Sequence, residues 1–99
     1  MENKFYTEQS DLTPGETYGI NVPISEYSFT GLYLGKDEQN HFFRMEHDKR
    51  YVKVGREGLE HRGRMRWDIT GLDKVGNLIL FSKKDKERIR DLEDAMKIN

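Results

Sequence analysis

Residues 41–54 read HFFRMEHDKRYVKV, which is the clearest β-hairpin signal in the chain and decides the fold class. Side chains alternate between the two faces of a strand. Phe43 and Met45 therefore fall on one face, and Phe42 and Arg44 on the other. The hairpin is predicted as a strand, a tight turn and a returning strand, at His41–Glu46, His47–Arg50 and Tyr51–Val54.

Further short strands are predicted on both sides of this hairpin, because apolar residues recur there between Gly and Pro. They lie at 16–22, 27–34, 64–69 and 78–81. The third alternates strictly, which is typical of a half-buried strand. Its core-facing residues are predicted to be Met65, Trp67 and Ile69, and its outward residues Arg64, Arg66 and Asp68.

Glycine-containing and polar segments between these strands predict turns and loops. Gly31 is interpreted as a bulge and Gly35 as a turn, because glycine tolerates unusual backbone conformations. Three longer connections are predicted as loops, at 36–40, 55–63 and 70–76.

Residues 82–99 predict one helix at the end of the sequence. Ser82 is placed to cap it, with Asp85 three residues later in an approximate capping box. Ile89, Leu92 and Met96 follow at intervals of three and four and form one apolar stripe. We expect this stripe to dock on the sheet, since an isolated helix of this length is marginal in water. A homodimer through the helix is the alternative.

These elements predict a mainly β (α+β) fold in one domain, residues 1–99. The expected architecture is a small SH3-like or Sm-like antiparallel barrel of five to six short strands with one C-terminal helix. Within it, residues 1–15 are expected to be irregular, 16–81 to form the barrel or bent sheet, and 82–99 the helix.

Composition restricts the class of protein. There is no cysteine, so a disulfide scaffold and a thiolate metal site are excluded. No apolar run reaches the length of a membrane span, and the first residues, MENKFYTEQS, lack the apolar stretch of a secretory signal. We therefore expect a soluble cytoplasmic protein that does not use a membrane, with no cofactor and no metal.

Charge is distributed unevenly along the chain, although the total is only −1. Residues 41–66 hold eight Lys and Arg against four acids, a net of +4, together with all three histidines. Residues 1–40 carry −5 and residues 67–99 carry 0. An anionic partner responds to such a local patch rather than to the average charge.

The basic segment predicts a ligand-binding face. Arginine donates two parallel hydrogen bonds to a phosphate, and nearby aromatic rings can stack on bases. The alternative is a solvated surface on which these cations pair with neighbouring acids such as Glu46, Glu57, Glu60 and Asp68. The predicted ligand-binding residues are Phe42, Arg44, Tyr51, Lys53, Arg62, Arg64 and Arg66.

The histidines give weaker signals. His47 or His61, with neighbouring arginines, could act as acid and base in phosphodiester cleavage, and His47 with Glu46 or Asp48 could hold a metal. We favour ordinary surface histidines in turns, because adjacent strand residues point to opposite faces.

The sequence thus favours a small non-catalytic binding module whose basic face, residues 41–66, binds RNA, DNA or another phosphorylated ligand. The second hypothesis is a regulator or inhibitor that binds a larger protein through charge complementarity. The third is a small metal-independent ribonuclease. Steep salt dependence would favour the first, one defined protein partner the second, and cleavage lost on histidine substitution the third.

Overall fold

A computed structural model describes residues 4–5, 12–21, 28–61, 68–71 and 81–96, with the backbone alone at 4–5 and 61. Six strands and two helices lie in these ranges. They are β1 Lys4–Phe5, β2 Thr17–Asn21, β3 Ser28–Lys36, β4 Asn40–Met45, β5 Tyr51–Gly55, α1 Arg56–His61, β6 Ile69–Thr70 and α2 Lys83–Met96.

The strands form one sheet in the order β1-β2-β3-β4-β5-β6. Strands β2 to β6 are antiparallel, and β1 pairs in parallel with β2. The predicted mainly β fold with antiparallel strands and a C-terminal helix is confirmed. The sheet is not closed across the described residues, so the predicted barrel is not confirmed. The short strand β1 lies in the segment 1–15 that the sequence predicts as irregular.

Both faces of the sheet are buried, each against a different apolar cluster. The sheet core consists of Tyr18, Ile20, Phe29, Tyr33, Phe43, Val52, Val54 and Leu59. The helix core, beneath α2, consists of Leu34, Phe42, Phe81 and Ile89. Phe43 and Phe42 therefore point to opposite faces, as the hairpin alternation predicts. Burial of each such side chain contributes about 1.5–3 kcal/mol.

Strand β3 contains a register irregularity, and the two consecutive residues beside it enter different cores, as regular alternation along a strand requires. The register between β3 and β4 shifts between Tyr33 and Gly35. Tyr33 lies in the sheet core and Leu34 in the helix core. The bulge predicted at Gly31 is thus wrong in position, since Gly31 pairs regularly with Met45. Gly35, predicted as a turn, lies within the strand and contacts α2.

The turn between β4 and β5 confirms the predicted hairpin. The amide of Lys49 donates to the carbonyl of Met45 over 3.0 Å, and the amide of Met45 donates to the carbonyl of Arg50. Lys49 has a φ of 64°, in the left-handed region that tight turns require. The turn holds Glu46, His47 and Asp48 exposed to solvent.

The loop predicted at 55–63 is wrong, because α1 occupies residues 56–61. Its backbone begins where the amide of Arg56 donates to the carbonyl of Gln39 over 2.8 Å. Leu59 is fully buried in the sheet core. Burial of this side chain and an Arg56–Glu60 pair at 2.7 Å outweigh the poor helix propensity of Gly58.

Helix α2 confirms the predicted C-terminal helix and its docking. The amide of Asp85 donates to Oγ of Ser82 over 3.1 Å, so Ser82 caps the helix as predicted. Ile89 is buried, and Leu92 and Met96 pack partly buried against the helix core. In the described part of the chain, neither helix is long and apolar enough to cross a membrane.

Several predictions fall outside the described residues. They include the core position of Met65 and Trp67, the outward position of Arg64 and Arg66, and the strand at 78–80. Of the predicted strand 64–69, the described part contributes Ile69, in β6, which pairs with Val54. Phe81 lies at a bend and is buried in the helix core.

Gly35→Ala should destabilise the protein more than Gly15→Ala. Both glycines have positive φ, 145° and 94°, where a side chain is strained. A Cβ at Gly35 would lie 2.7 Å from Cδ2 of Leu92, whereas one at Gly15 would lie 3.9 Å from Sδ of Met96. We expect the free energy of unfolding to fall by about 2–3 kcal/mol at Gly35 and by about 1 kcal/mol at Gly15. Urea unfolding measures both.

Adding Leu92→Ala to Gly35→Ala should recover part of the stability, because the overlapping methyl group is then removed. Equal destabilisation by the two glycine variants would show that the approach of α2 to β3 does not depend on a glycine at position 35.

Candidate functional site

Two of the predicted ligand-binding cations are paired with acids of α2. Nη1 of Arg44 lies 2.9 Å from Oε2 of Glu93, and both side chains are less than one fifth exposed. Nζ of Lys53 donates to Oδ2 of Asp85 over 2.5 Å and lies 5.8 Å from the centre of the Phe81 ring. Both residues are on the face of the sheet that α2 covers. Their charge is therefore used between the sheet and the helix.

The two predicted stacking aromatics lie in the same interface. Phe42 is 0% exposed, so the expectation that its ring stacks on a base is corrected: no face of the ring is open in this fold. Tyr51 is half-buried, and its hydroxyl lies 2.9 and 3.0 Å from the two carboxylate oxygens of Glu93. Burial raises the pKa of Tyr51, and so does the adjacent Glu93 carboxylate. The phenol therefore stays protonated and donates to Glu93.

The remaining predicted residues, Arg62, Arg64 and Arg66, lie outside the described residues. The structure therefore brings together Arg44, Tyr51 and Lys53, with Phe42 beneath them, as a docking surface for α2.

Cations on α2, and not Arg44 and Lys53, supply exposed positive charge. Residues 83–90 contain five cations and two acids, and all five cations are exposed. Asp85, one of the two acids, is turned inward to Lys53. Glu93, in the next turn, is likewise held by Arg44 and Tyr51. Inward pairing of these acids leaves a surplus of positive charge on the outside of the first two helical turns.

Three of these cations lie along one side of the helix. Lys83, Lys86 and Arg90 are spaced i, i+3, i+7, which places them on neighbouring turns. We call them the basic row. Lys83 and Lys86 form no ion pair with any residue in the described ranges. Arg90 is 68% exposed and lies 3.7 Å from Asp91, a solvated pair that contributes little.

The two other cations of α2 have acidic surroundings. Lys84 and Arg88, spaced i, i+4, line a shallow depression on the opposite side of the helix. Its other lining residues are acidic: Asp37, Glu38, Glu87 and Asp91. This side therefore holds two cations against four acids, so the surplus positive charge of the helix is concentrated on the basic row.

A hydrogen-bonded set of polar residues, here called the polar chain, lies on the other face of the sheet; Tyr33 and His41 are buried, and Arg56 and Glu60 are about one third exposed. Nδ1 of His41 is 2.7 Å from the Tyr33 hydroxyl, and Nε2 of His41 is 2.7 Å from Oε2 of Glu60. The same carboxylate oxygen accepts a hydrogen bond from Nε of Arg56 over 2.7 Å. His41 is 4% exposed, which corrects the expectation that the histidines are surface residues in turns. Both ring nitrogens are occupied, so the chain ties α1 to β3 and β4.

The charges in this chain follow from burial and pairing. Burial lowers the pKa of His41, against the opposing effect of Glu60. Burial alone would raise the pKa of Glu60, but the hydrogen bonds from Arg56 and His41 outweigh it and the pKa is lowered. At neutral pH the polar chain therefore contains a neutral His41 imidazole beside the Arg56–Glu60 ion pair.

The other candidate residues are less organised. His47 is on the exposed β4–β5 turn, and His61 is the last residue of α1. An open groove of about 510 Å³ beside α1 is lined by nine residues, of which four are acids: Glu38, Glu57, Glu60 and Asp68. Arg56 and Gly58, part of the segment predicted as a loop, also line it. Within the described residues, no group of three or more His, Asp or Glu is arranged to hold a metal ion.

No protein-family model, curated protein or solved structure matches this chain.

The sequence does not predict either the basic row or the polar chain as a site. The basic row has a sequence signal. Helix α2 has cations throughout its first two turns and no basic residue in its last turn, which is the reverse of what the helix dipole favours. The polar chain has no comparable sequence signal, because His41 and Glu60 are 19 residues apart and meet only when α1 forms.

Lys53→Met should destabilise the protein by about 1–3 kcal/mol, because it leaves the Asp85 carboxylate buried without its cation. The double variant Lys53→Met/Asp85→Ala should be destabilised by less than the two single changes added together. Lys83→Met, an exposed control on the same helix, should change the free energy of unfolding by less than about 0.5 kcal/mol. Additive effects in this cycle would contradict the coupling of α2 to β5.

Stability should fall as the pH is lowered from about 7 to about 5.5, because burial lowers the pKa of His41. The folded pKa of His41 lies below its unfolded value, so the unfolded chain takes up a proton first as the pH drops below about 6.5. The stabilisation is thus fully present above this value and is lost progressively below it. Urea unfolding at several pH values measures the slope.

His41→Gln should flatten this slope, whatever its effect on absolute stability. His47→Gln, which removes a histidine exposed to solvent, should retain it. A slope that survives His41→Gln would show that another group is responsible.

Proposed function

We propose that this protein is a small non-catalytic binding module that binds nucleic acid through the basic row of α2. The observation that carries the proposal is the inward pairing of Asp85 and Glu93, which leaves Lys83, Lys86 and Arg90 exposed on the outside, Arg90 with only a solvated pair to Asp91. Arg62, Arg64 and Arg66 remain candidates for binding the same ligand. The proposal thus moves the centre of the expected basic face from the hairpin to the helix.

The position of these cations along the helix supports a binding role. Cations near a helix N-terminus oppose the helix dipole, and each costs about 0.3–1 kcal/mol of helix stability. Three lysines lie in the first turn, at positions 83, 84 and 86. A placement that lowers helix stability needs a different benefit, and binding of an anion supplies one. The positive end of the dipole adds to the field of the side chains.

The helix is also held rigidly enough to present the basic row. Ile89 is buried in the helix core, and the Arg44–Glu93 and Lys53–Asp85 pairs fix the side of the helix next to the row. Because the backbone of a docked helix is already ordered, only the side chains lose conformational freedom on binding, which favours affinity. Arg44 and Lys53 act here as positioning residues, and their direct contact with a ligand stays a prediction.

Acidic residues elsewhere would direct the approach of an anionic ligand. Asp37 and Glu38 lie on the far side of α2, and the acidic groove beside α1 continues from Glu38. Like charges repel a polyanion from these surfaces, which favours its approach to the basic row.

Two further parts of the proposal concern architecture and location. An SH3-like or Sm-like arrangement is supported by five antiparallel strands in sequential order that pack against a shared core. A cytoplasmic location is supported by the absence of cysteine from the sequence.

Lys86→Gln/Arg90→Gln should weaken binding of a fluorescently labelled oligonucleotide roughly tenfold at low ionic strength, because both cations are exposed on the basic row. It should also reduce the slope of log affinity against log salt by about 0.9 for each phosphate that the variant no longer neutralises. Fluorescence anisotropy titrations at several salt concentrations measure both quantities.

Lys84→Gln/Arg88→Gln is the matched control, since it also removes one lysine and one arginine from exposed positions of α2. It should bind almost as tightly as the unmodified protein, and circular dichroism should show both variants folded. Equal weakening of binding in the two variants would contradict a site on the basic row.

No binding by the unmodified protein at low salt would remove nucleic acid as the ligand. Capture of one acidic protein from a nuclease-treated lysate by that same protein would then support the protein-binding alternative.

A further inference from the structure

We infer that the ligand of the basic row is duplex nucleic acid, held through its phosphates with no reading of bases. This inference rests on the proposed function and specifies the form of the nucleic acid. Three features of the described structure support it: the positions of the aromatic rings, the length of the basic row and the acids on the outward ridge of α2.

The aromatic rings next to the basic row are used inside the protein. Phe42 and Phe81 are buried under α2, and Tyr51 is half-buried with its hydroxyl on Glu93. The other aromatic side chains described, Tyr18, Phe29, Tyr33 and Phe43, are buried in the sheet core. Proteins that bind single strands without sequence preference stack bases on exposed aromatic rings. The described surface presents cations for phosphates but no such ring.

The length of the basic row favours the form with the higher charge density. Arg90 lies seven positions after Lys83, which corresponds to about 10 Å along the helix axis. Over that length a duplex presents about six phosphate charges, and one strand presents about three. A site that acts through charge alone therefore binds the duplex more tightly. The duplex is also stiff, so it loses less freedom when it is bound.

Three acids on the outward side of α2 oppose insertion of the helix into a groove of the duplex. Glu87, Asp91 and Asp94 are exposed and lie between the basic row and the side that carries Lys84 and Arg88. Insertion would bring these three carboxylates between two phosphate backbones, where like charges repel. The duplex is thus expected to lie along the basic row, beside the helix. Base edges stay out of reach in that arrangement, so binding should not depend on sequence.

The test compares duplex and single-stranded DNA of equal length and label, in two unrelated sequences, with the full chain. We expect the duplex to bind several-fold more tightly, with no difference between the two sequences. Neutralisation of three phosphates predicts a slope of log affinity against log salt of about −2.7. Lys86→Gln/Arg90→Gln should reduce that slope to about −0.9.

Tighter binding of single strands, with affinity that persists at high salt, would overturn the inference and leave the proposed function intact. A clear preference for one duplex sequence would overturn it as well, since bases would then be read. Failure of both forms to bind at low salt would overturn the proposed function, and this inference with it.

Discussion

Two carboxylates of α2 determine where this protein exposes positive charge. Asp85 and Glu93 reach inward to Lys53 and Arg44, so each ion pair removes one cation from the sheet surface and one acid from the helix surface. The total charge does not change, but the exposed surplus moves from the strands to the helix. The same pairs hold α2 over the helix core. The two ion pairs therefore both dock the helix on the sheet and leave the basic row exposed.

The sheet can support this arrangement because it buries both faces. Alternation along β3 places Tyr33 in the sheet core and Leu34 in the helix core. Gly35 allows Leu92 to approach β3 closely, and this approach sets the distance between α2 and the sheet. A sheet with one solvated face would have left Arg44, Tyr51 and Lys53 free for a ligand, as the sequence analysis assumes.

Local patterns are enough to predict β2 to β5 and α2. Alternation between the faces places Phe42 and Phe43 correctly, and the spacing of Ser82, Ile89 and Leu92 defines the helix. The roles of Arg44 and Lys53 are not predictable in this way, because their partners lie 49 and 32 residues away. Helix α1 is missed for a related reason: its glycines indicate a loop, and only burial of Leu59 in the assembled core outweighs them.

Donor and acceptor chemistry fixes the direction of every hydrogen bond in the polar chain on the other face of the sheet. Arginine can only donate, and the ionised carboxylate of Glu60 can only accept, so Nε2 of His41 must carry its proton. Nδ1 of the neutral ring is then an acceptor, and the Tyr33 hydroxyl donates to it. All these hydrogens point toward Glu60. One carboxylate on a six-residue helix thereby selects the tautomer of a histidine in β4 and the hydroxyl orientation of a tyrosine in β3.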